Sequence, residues 1–256
     1  MSKIKNAFEN GKAFIGFVTA GDPDLETSEQ IMLSMAKAGC DLIEIGIPFS
    51  DPIAEGPVIQ EANLRSLSQG TTTDKVFALT KKVSAQVDIP LVYMTYLNVL
   101  FKYGYDKFLQ NAKDAGISGV IIPDMPYEEK EELQSVAKNY GIDVVSLIAP
   151  TSEDRIKMIA KEAEGFVYTV SSLGVTGTRS EIKTDLESIT SAIKEVTDTP
   201  VAIGFGINTP EQAAKYSKIA DGIIVGSAIV KIIAEHGTAS PQKVYNYVKS
   251  MKDAIR

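Results

Sequence analysis

The sequence predicts a single (β/α)8 TIM barrel with an added N-terminal helix, on three observations. Short β-rich runs alternate strictly with amphipathic helical stretches, the pattern of right-handed βαβ units built on a parallel sheet. Eight such units fit the 256 residues of the chain, close to the usual size of the closed barrel. No linker, repeat or low-complexity stretch divides the chain, so residues 1–256 are read as one domain.

The elements follow in order. Residues 3–10 form the added helix, expected to plug the bottom of the barrel. A first strand at 13–18 leads to a helix at 25–38, and a second strand at 41–46 ends in Gly46 and enters a loop over 47–60. That loop carries three prolines, and its Pro/Gly punctuation forbids a continued strand. Next come a helix at 73–87, a strand at 90–95, a helix at 105–115 and a strand at 119–123. A helix at 127–139, a strand at 144–149 and a helix at 152–163 follow. The strand at 165–170 alternates Phe166, Tyr168 and Val170 with Val167 and Thr169, so one set faces the barrel interior. A helix at 182–196, a strand at 200–204, a helix at 210–217, a strand at 222–225 and a helix at 241–255 complete the chain. An open doubly wound sheet is the alternative, but no G-x-G-x-x-G follows the first strand, which leaves a dinucleotide site little support.

In such a barrel the chemistry sits at the C-terminal ends of the strands. Glu44 lies two residues before the end of the second strand, in the apolar run Asp41-Leu42-Ile43-Glu44-Ile45-Gly46. In phase with Leu42 it faces the interior, while Ile43 and Ile45 face the helices. A lone buried carboxylate must be paired, neutralised or used. Desolvation raises its pKa toward neutrality, which suits a group that both gives and takes a proton. A structural glutamate held by backbone donors is the competing reading. Glu55, in the loop beyond Gly46, is positioned to swing back and set a second carboxylate opposite Glu44. Tyr168 offers a polar group at the same level, or else an aromatic that fills the barrel.

Glycine-bearing loops follow the last three strands: Gly174-Val175-Thr176-Gly177, Gly204-Phe205-Gly206 and Gly226-Ser227, the last entering a helix. Backbone amides unobstructed by Cβ atoms, together with a helix N-terminus, form a phosphate cup without lysine or arginine. Gly177, Gly206, Gly226 and Ser227 are the candidates, in the region where barrels commonly hold a phosphate. The stretch 174–181 has the composition of a lid.

Elimination narrows the chemistry. The formal net charge of −7 and scattered lysines argue against a nucleic-acid partner. Residues 1–10 lack the apolar core of a signal peptide, and no apolar run reaches the roughly 18 residues of a membrane span, so a soluble cytoplasmic protein is expected. Cys40, the single cysteine, reads as a buried structural thiol. His236, the single histidine, excludes a Ser/His triad and a multi-histidine metal site, so no metal is expected. No lysine lies within a candidate strand, which speaks against a Schiff-base aldolase. Carboxylate acid and base chemistry on a phosphorylated substrate remains.

The stretch from Glu44 to Gln60 resembles the signature of the tryptophan synthase α subunit family, a strand glutamate followed by a G-x-P-[FY]-S-D-P-x-A-[D]-G-P loop. Phe17-Val18-Thr19-Ala20-Gly21-Asp22-Pro23, Pro123-Asp124-Met125-Pro126, Gly174-Val175-Thr176-Gly177, Gly204-Phe205-Gly206 and Gly226-Ser227-Ala228-Ile229-Val230 are similar to the family's other landmarks, in its order. One departure stands out: the family's second catalytic position usually carries Asp, and this chain has Glu55. The resemblance implies a retro-aldol lyase that cleaves indole-3-glycerol phosphate to indole and glyceraldehyde 3-phosphate. By resemblance Glu44 protonates indole C3 and removes the side-chain hydroxyl proton, Glu55 meets the indole N–H, and Tyr168 is the active-site tyrosine. An indole slot is expected from Phe17, Ile59, Leu97 and Phe205. The family implies no cofactor in this chain, pyridoxal phosphate in a β subunit partner, and an αββα heterotetramer. A catalytically weak allosteric partner of the β subunit, or a stand-alone indole-releasing lyase, are the alternatives.

Overall fold

The computed structural model describes residues 3–170, 185–204 and 206–256. Gly177, Phe205, the stretch 174–181 and the predicted helix start at 182–184 lie outside them. Among the described residues nine strands form one all-parallel sheet: β1 (Ala13–Thr19), β2 (Leu42–Gly46), β3 (Leu91–Met94), β4 (Ile117–Ile121), β5 (Asp143–Val144), β6 (Ser146–Ile148), β7 (Val167–Val170), β8 (Val201–Gly204) and β9 (Gly222–Val225). Their order is β5-β4-β3-β2-β1-β9-β8-β7-β6. The two ends of that series, β5 and β6, are the single predicted strand 144–149 interrupted at Val145, so the chain itself closes the barrel.

The helices are α1 (Leu25–Lys37), α2 (Pro57–Ser68), α3 (Thr73–Ser84), α4 (Leu97–Tyr103), α5 (Tyr105–Asp114), α6 (Lys130–Tyr140), α7 (Glu153–Lys161), α8 (Leu186–Lys194), α9 (Pro210–Tyr216), α10 (Ser227–His236) and α11 (Ser240–Ala254). Two of them correct the sequence reading, which left 57–68 and 97–103 without a helix. α2 starts at a proline after Gly56 and buries Asn63 and Ser66 beside Ile59 and Ala62. Half its inner face is polar, so the 3.6-residue apolar period is disguised. α4 buries only Leu100 and stops at Gly104, whose φ of 89° ends the helix.

Side chains divide cleanly between the two faces of the sheet. Leu42, Val92, Ile121, Phe166, Tyr168, Val170, Ala202 and Ile224 share a buried cluster in the lumen. Ile43, Ile45, Val167, Ile203 and Ile223 join the layer between strands and helices. The predicted phases of β2 and β7 therefore hold. The N-terminal segment is a 3-10 helix over Lys3–Phe8, and its Ile4 and Ala7 belong to the lumen cluster, stopping the barrel from below. Gly119 makes room for that plug, since a Cβ there would sit 2.7 Å from Ile4 Cδ1. Burying an isoleucine of this kind contributes about 1.5–3 kcal/mol.

Two charged pairs tie the loops down. Asp41 Oδ2 accepts from Phe14 N (2.7 Å) and Lys252 Nζ (2.7 Å), anchoring α11 beneath β1 and β2. Asp22, after β1, receives both Nε (2.8 Å) and Nη2 (2.9 Å) of Arg65 on α2. This fork locks α2 over the strand ends, and with it the residues that α2 carries to the barrel mouth.

Candidate active site

Glu44 is 1% exposed and sits between Phe17 on β1 and Val92 on β3 in the strand register. Neither carboxyl oxygen has a hydrogen-bond partner among the described residues. No backbone donor among the described residues holds it, which argues against the structural reading of this glutamate. Burial alone pushes its pKa up to about 8, so near neutral pH the group is chiefly the neutral acid. Tyr168 stands close enough that the Glu44 charge adds to burial in raising the phenol well above its ordinary range. Both side chains project from opposite walls into one lumen. A Cβ at Gly204 would meet the Tyr168 hydroxyl at 2.7 Å, so glycine at the end of β8 lets the ring lie flat against that strand.

Glu55 is half-buried in the segment joining β2 to α2. Its Oε2 accepts from Asn63 Nδ2 at 2.7 Å, and its carbonyl accepts from Gln60 Nε2 at 2.7 Å. Burial raises its pKa to about 7, opposed by the Asn63 amide, which favours the ionised form. The two carboxyls thus differ in kind: one is fully buried with no hydrogen-bond partner among the described residues, the other is aimed by a donor. Tyr96, which sequence reasoning missed, steadies this segment: its hydroxyl accepts from Ala54 N at 3.1 Å, and burial, helped by the Glu55 charge, raises its pKa. Asp124 is engaged otherwise, accepting from Leu97 N at 2.9 Å where α4 begins.

The apolar candidates separate. Phe17 and Ile59 pack together with Ala62 and Val230, and the side of Met94 joins them to the lumen. Leu97 packs instead with the outer layer, because β3 has ended at Met94 and the chain has already turned into α4. Met94 is the residue that the sequence reading overlooked; its signal was the strand phase that it shares with Val92. Gly206 follows β8 at φ 93°, a conformation natural to glycine. Gly226 precedes α10 and Ser227 opens it, so the free amides of a ten-residue helix face the strand ends. β8 and β9 are neighbours in the sheet, which brings the two glycine loops to one side of the mouth.

A closed parallel barrel with a buried acid inside, a second oriented carboxyl at its rim and helix amides beside them is built for proton transfer on a small anionic substrate. Comparison with known proteins narrows that class. The family model of the tryptophan synthase alpha chain matches residues 3–256. The tryptophan synthase alpha chain of Lacticaseibacillus casei is 47% identical over 255 residues, covering 100% of this chain and 96% of that protein. That of Lactiplantibacillus plantarum is 49% identical over 256 residues, covering 100% and 97%. A crystal structure of the tryptophan synthase alpha chain from Legionella pneumophila superposes with a TM-score of 0.89 at 35% identity, covering 100% of this chain and 97% of that one. A chain of the tryptophan synthase complex from Pyrococcus furiosus gives 0.87 at 34% identity, covering 95% and 99%. The chain belongs to the tryptophan synthase alpha chain family.

Proposed function

We propose that this chain is the lyase subunit of tryptophan biosynthesis, cleaving indole-3-glycerol phosphate to indole and glyceraldehyde 3-phosphate. The observation that carries the reading is Glu44: a carboxyl inside a barrel, without a hydrogen-bond partner among the described residues and protonated near neutrality. Cleavage needs a proton delivered to indole C3 and a proton removed from the side-chain hydroxyl as the carbon–carbon bond breaks. Glu44 begins as the acid, donates to C3, and as the carboxylate takes the hydroxyl proton. It ends the cycle in the form in which it started. Glu55 faces the indole N–H, where its ionised form offsets positive charge developing on the ring; a charge so aimed supplies a few kcal/mol of transition-state stabilisation. Tyr168 positions the side chain of the substrate across the lumen from Glu44. The backbone amides at Gly206, Gly226 and Ser227 hold the phosphate, and Phe17, Ile59 and Met94 form the apolar wall for the indole.

The reaction needs no cofactor from this chain, and a β subunit carrying pyridoxal phosphate consumes the indole. Ile53 (74% exposed) and Phe101 (69% exposed) are large apolar groups open to solvent; they supply a docking face for that subunit in an αββα complex. No helix among the described residues is long and apolar enough to cross a membrane, in keeping with work in the cytoplasm. The weak-partner alternative is disfavoured by Asn63, which orients Glu55 despite its extra methylene. The test is indole release by Glu44→Gln with and without purified β subunit. Loss of turnover at unchanged phosphate-ligand affinity supports the assignment. Retained turnover refutes it.

A further inference from the structure

The glycine loop after β8 is held from outside the barrel. Gly206 lies at φ 93°, and a glycine has the widest choice of backbone conformations into which to stray. Its carbonyl is fixed all the same, accepting from Asn208 Nδ2 at 2.9 Å. Because the peptide unit is planar, that bond sets the orientation of the link from Gly206 to Ile207. Asn208 is itself held at both backbone groups: its N–H donates to Gln212 Oε1 (2.8 Å), and its carbonyl accepts from the Tyr247 hydroxyl (2.9 Å). Gln212 is fixed in turn by the capping box that it forms with Thr209 at the start of α9.

Tyr247 is the distant member of this chain of hydrogen bonds, 39 positions from Asn208. It belongs to α11, which buries Val244, Val248 and Met251. Lys252 ties the same helix to the strands, its Nζ donating to Asp41 and to the Lys12 carbonyl. The hydroxyl is thus presented by a fixed support, and burial raises the phenol above its ordinary range, so it stays protonated and donates. Glycine loops suit a phosphate because no Cβ screens their amides. A loose one, however, must be ordered when the ligand arrives, and that cost is subtracted from affinity. Hydrogen bonds that order the loop beforehand remove it.

We propose that Tyr247 and Asn208 are positioning residues for the phosphate loop, an inference that rests on Gly206 belonging to the phosphate cup. Tyr247 on α11 holds the Asn208 carbonyl, Asn208 holds the Gly206 carbonyl, and the backbone at Gly206 is kept in its ligand-ready conformation before the substrate arrives. Both residues act through the backbone of the loop rather than on the reacting atoms. The C-terminal helix thereby contributes to recognition of the phosphorylated substrate from outside the barrel.

Tyr247→Phe removes the hydroxyl and keeps the ring, so the chain should fold, as a circular dichroism melt checks. Affinity for inorganic phosphate, titrated by calorimetry into the full-length chain, is expected to fall about two- to tenfold, the worth of one hydrogen bond. KM for indole-3-glycerol phosphate should rise by a similar factor with kcat nearly unchanged, since the phosphate is held alike in the ground and transition states. Affinity for indole, which carries no phosphate, should not move. Asn208→Ala should weaken phosphate binding at least as much. The double variant should lose less than the product of the two single losses, because the two residues act in series on one loop. Gly226→Val, in the other half of the cup, keeps the two assignments apart. If it weakens phosphate binding while folded Tyr247→Phe does not, the cup stands and the positioning role is refuted. If neither variant weakens it, the cup falls and the positioning role with it. Equal losses of phosphate and indole affinity in Tyr247→Phe would mark a merely structural tyrosine and also overturn the proposal.

Discussion

Replacing Glu44 with Gln keeps the volume of the side chain and removes its ionisation, and the structure sets the consequence for stability. In the folded chain burial raises this carboxyl from an ordinary 4.5 to about 8. Each tenfold preference for the protonated form is worth about 1.4 kcal/mol, so the folded state bears about 5 kcal/mol of penalty once the group is ionised. The sign follows from proton linkage. Between about 4.5 and 8 the folded state binds the proton and the unfolded state has released it, so stability falls as pH rises. Below that window both states are protonated and the contribution is fully retained; above it the loss is complete. Gln carries no such dependence. For a domain of this size about 1 kcal/mol moves the melting temperature by roughly 2–4 °C. Because pH 5 already lies just inside that window, about 4 kcal/mol of the penalty develops between pH 5 and pH 9, and the melting temperature of Glu44→Gln minus that of the parent should be about 8–16 °C greater at pH 9 than at pH 5. Calorimetry or circular dichroism melts at the two pH values give this double difference, in which every other titrating group cancels. An equal difference at both pH values would mean that Glu44 ionises normally in the barrel, and would remove the basis for its role as acid.

Further outcomes follow from the other residues. The kcat/KM profile should be bell-shaped, its acid limb near 7 from ionisation of Glu55 and its basic limb near 8 from deprotonation of Glu44; Glu55→Gln should flatten the acid limb alone. Glu55→Ala should lose at least about 100-fold in indole release, and Glu55→Asp should stay within about tenfold, as measured by steady-state kinetics. Arg65→Met leaves Asp22 buried without its fork and should destabilise the chain by about 3 kcal/mol, the lower end of the range because Arg65 is partly exposed; urea unfolding reads this. Gly226→Val should raise KM for the phosphorylated substrate with a near-native melting temperature, since a Cβ there finds only an ordinary 3.4 Å contact with Phe17.

The sequence by itself determined the barrel and its dry acid. Period-two and period-3.6 patterns are local, so β2, β7 and the phase of Leu42 against Ile43 could be read directly, and one carboxylate among branched aliphatics marked Glu44 as buried. The glycine loops after β8 and β9 were legible for the same reason: glycine is the residue that a positive φ such as that of Gly206 favours. What only the tertiary structure decided rests on partners far apart in the chain. Asn63 aims Glu55 because α2 folds back across the loop, and α2 itself was hidden because its inner face carries Asn63 and Ser66, whose hydrogen bonds replace apolar burial. Tyr96 reaches Ala54 across 42 positions. Leu97 leaves the lumen because α4 begins there, its first amide satisfied by Asp124 from the turn after β4. The break at Val145 is of the same kind. The run 144–149 is uniformly strand-like, and only the geometry of closing the barrel splits it, β5 pairing with β4 and β6 with β7.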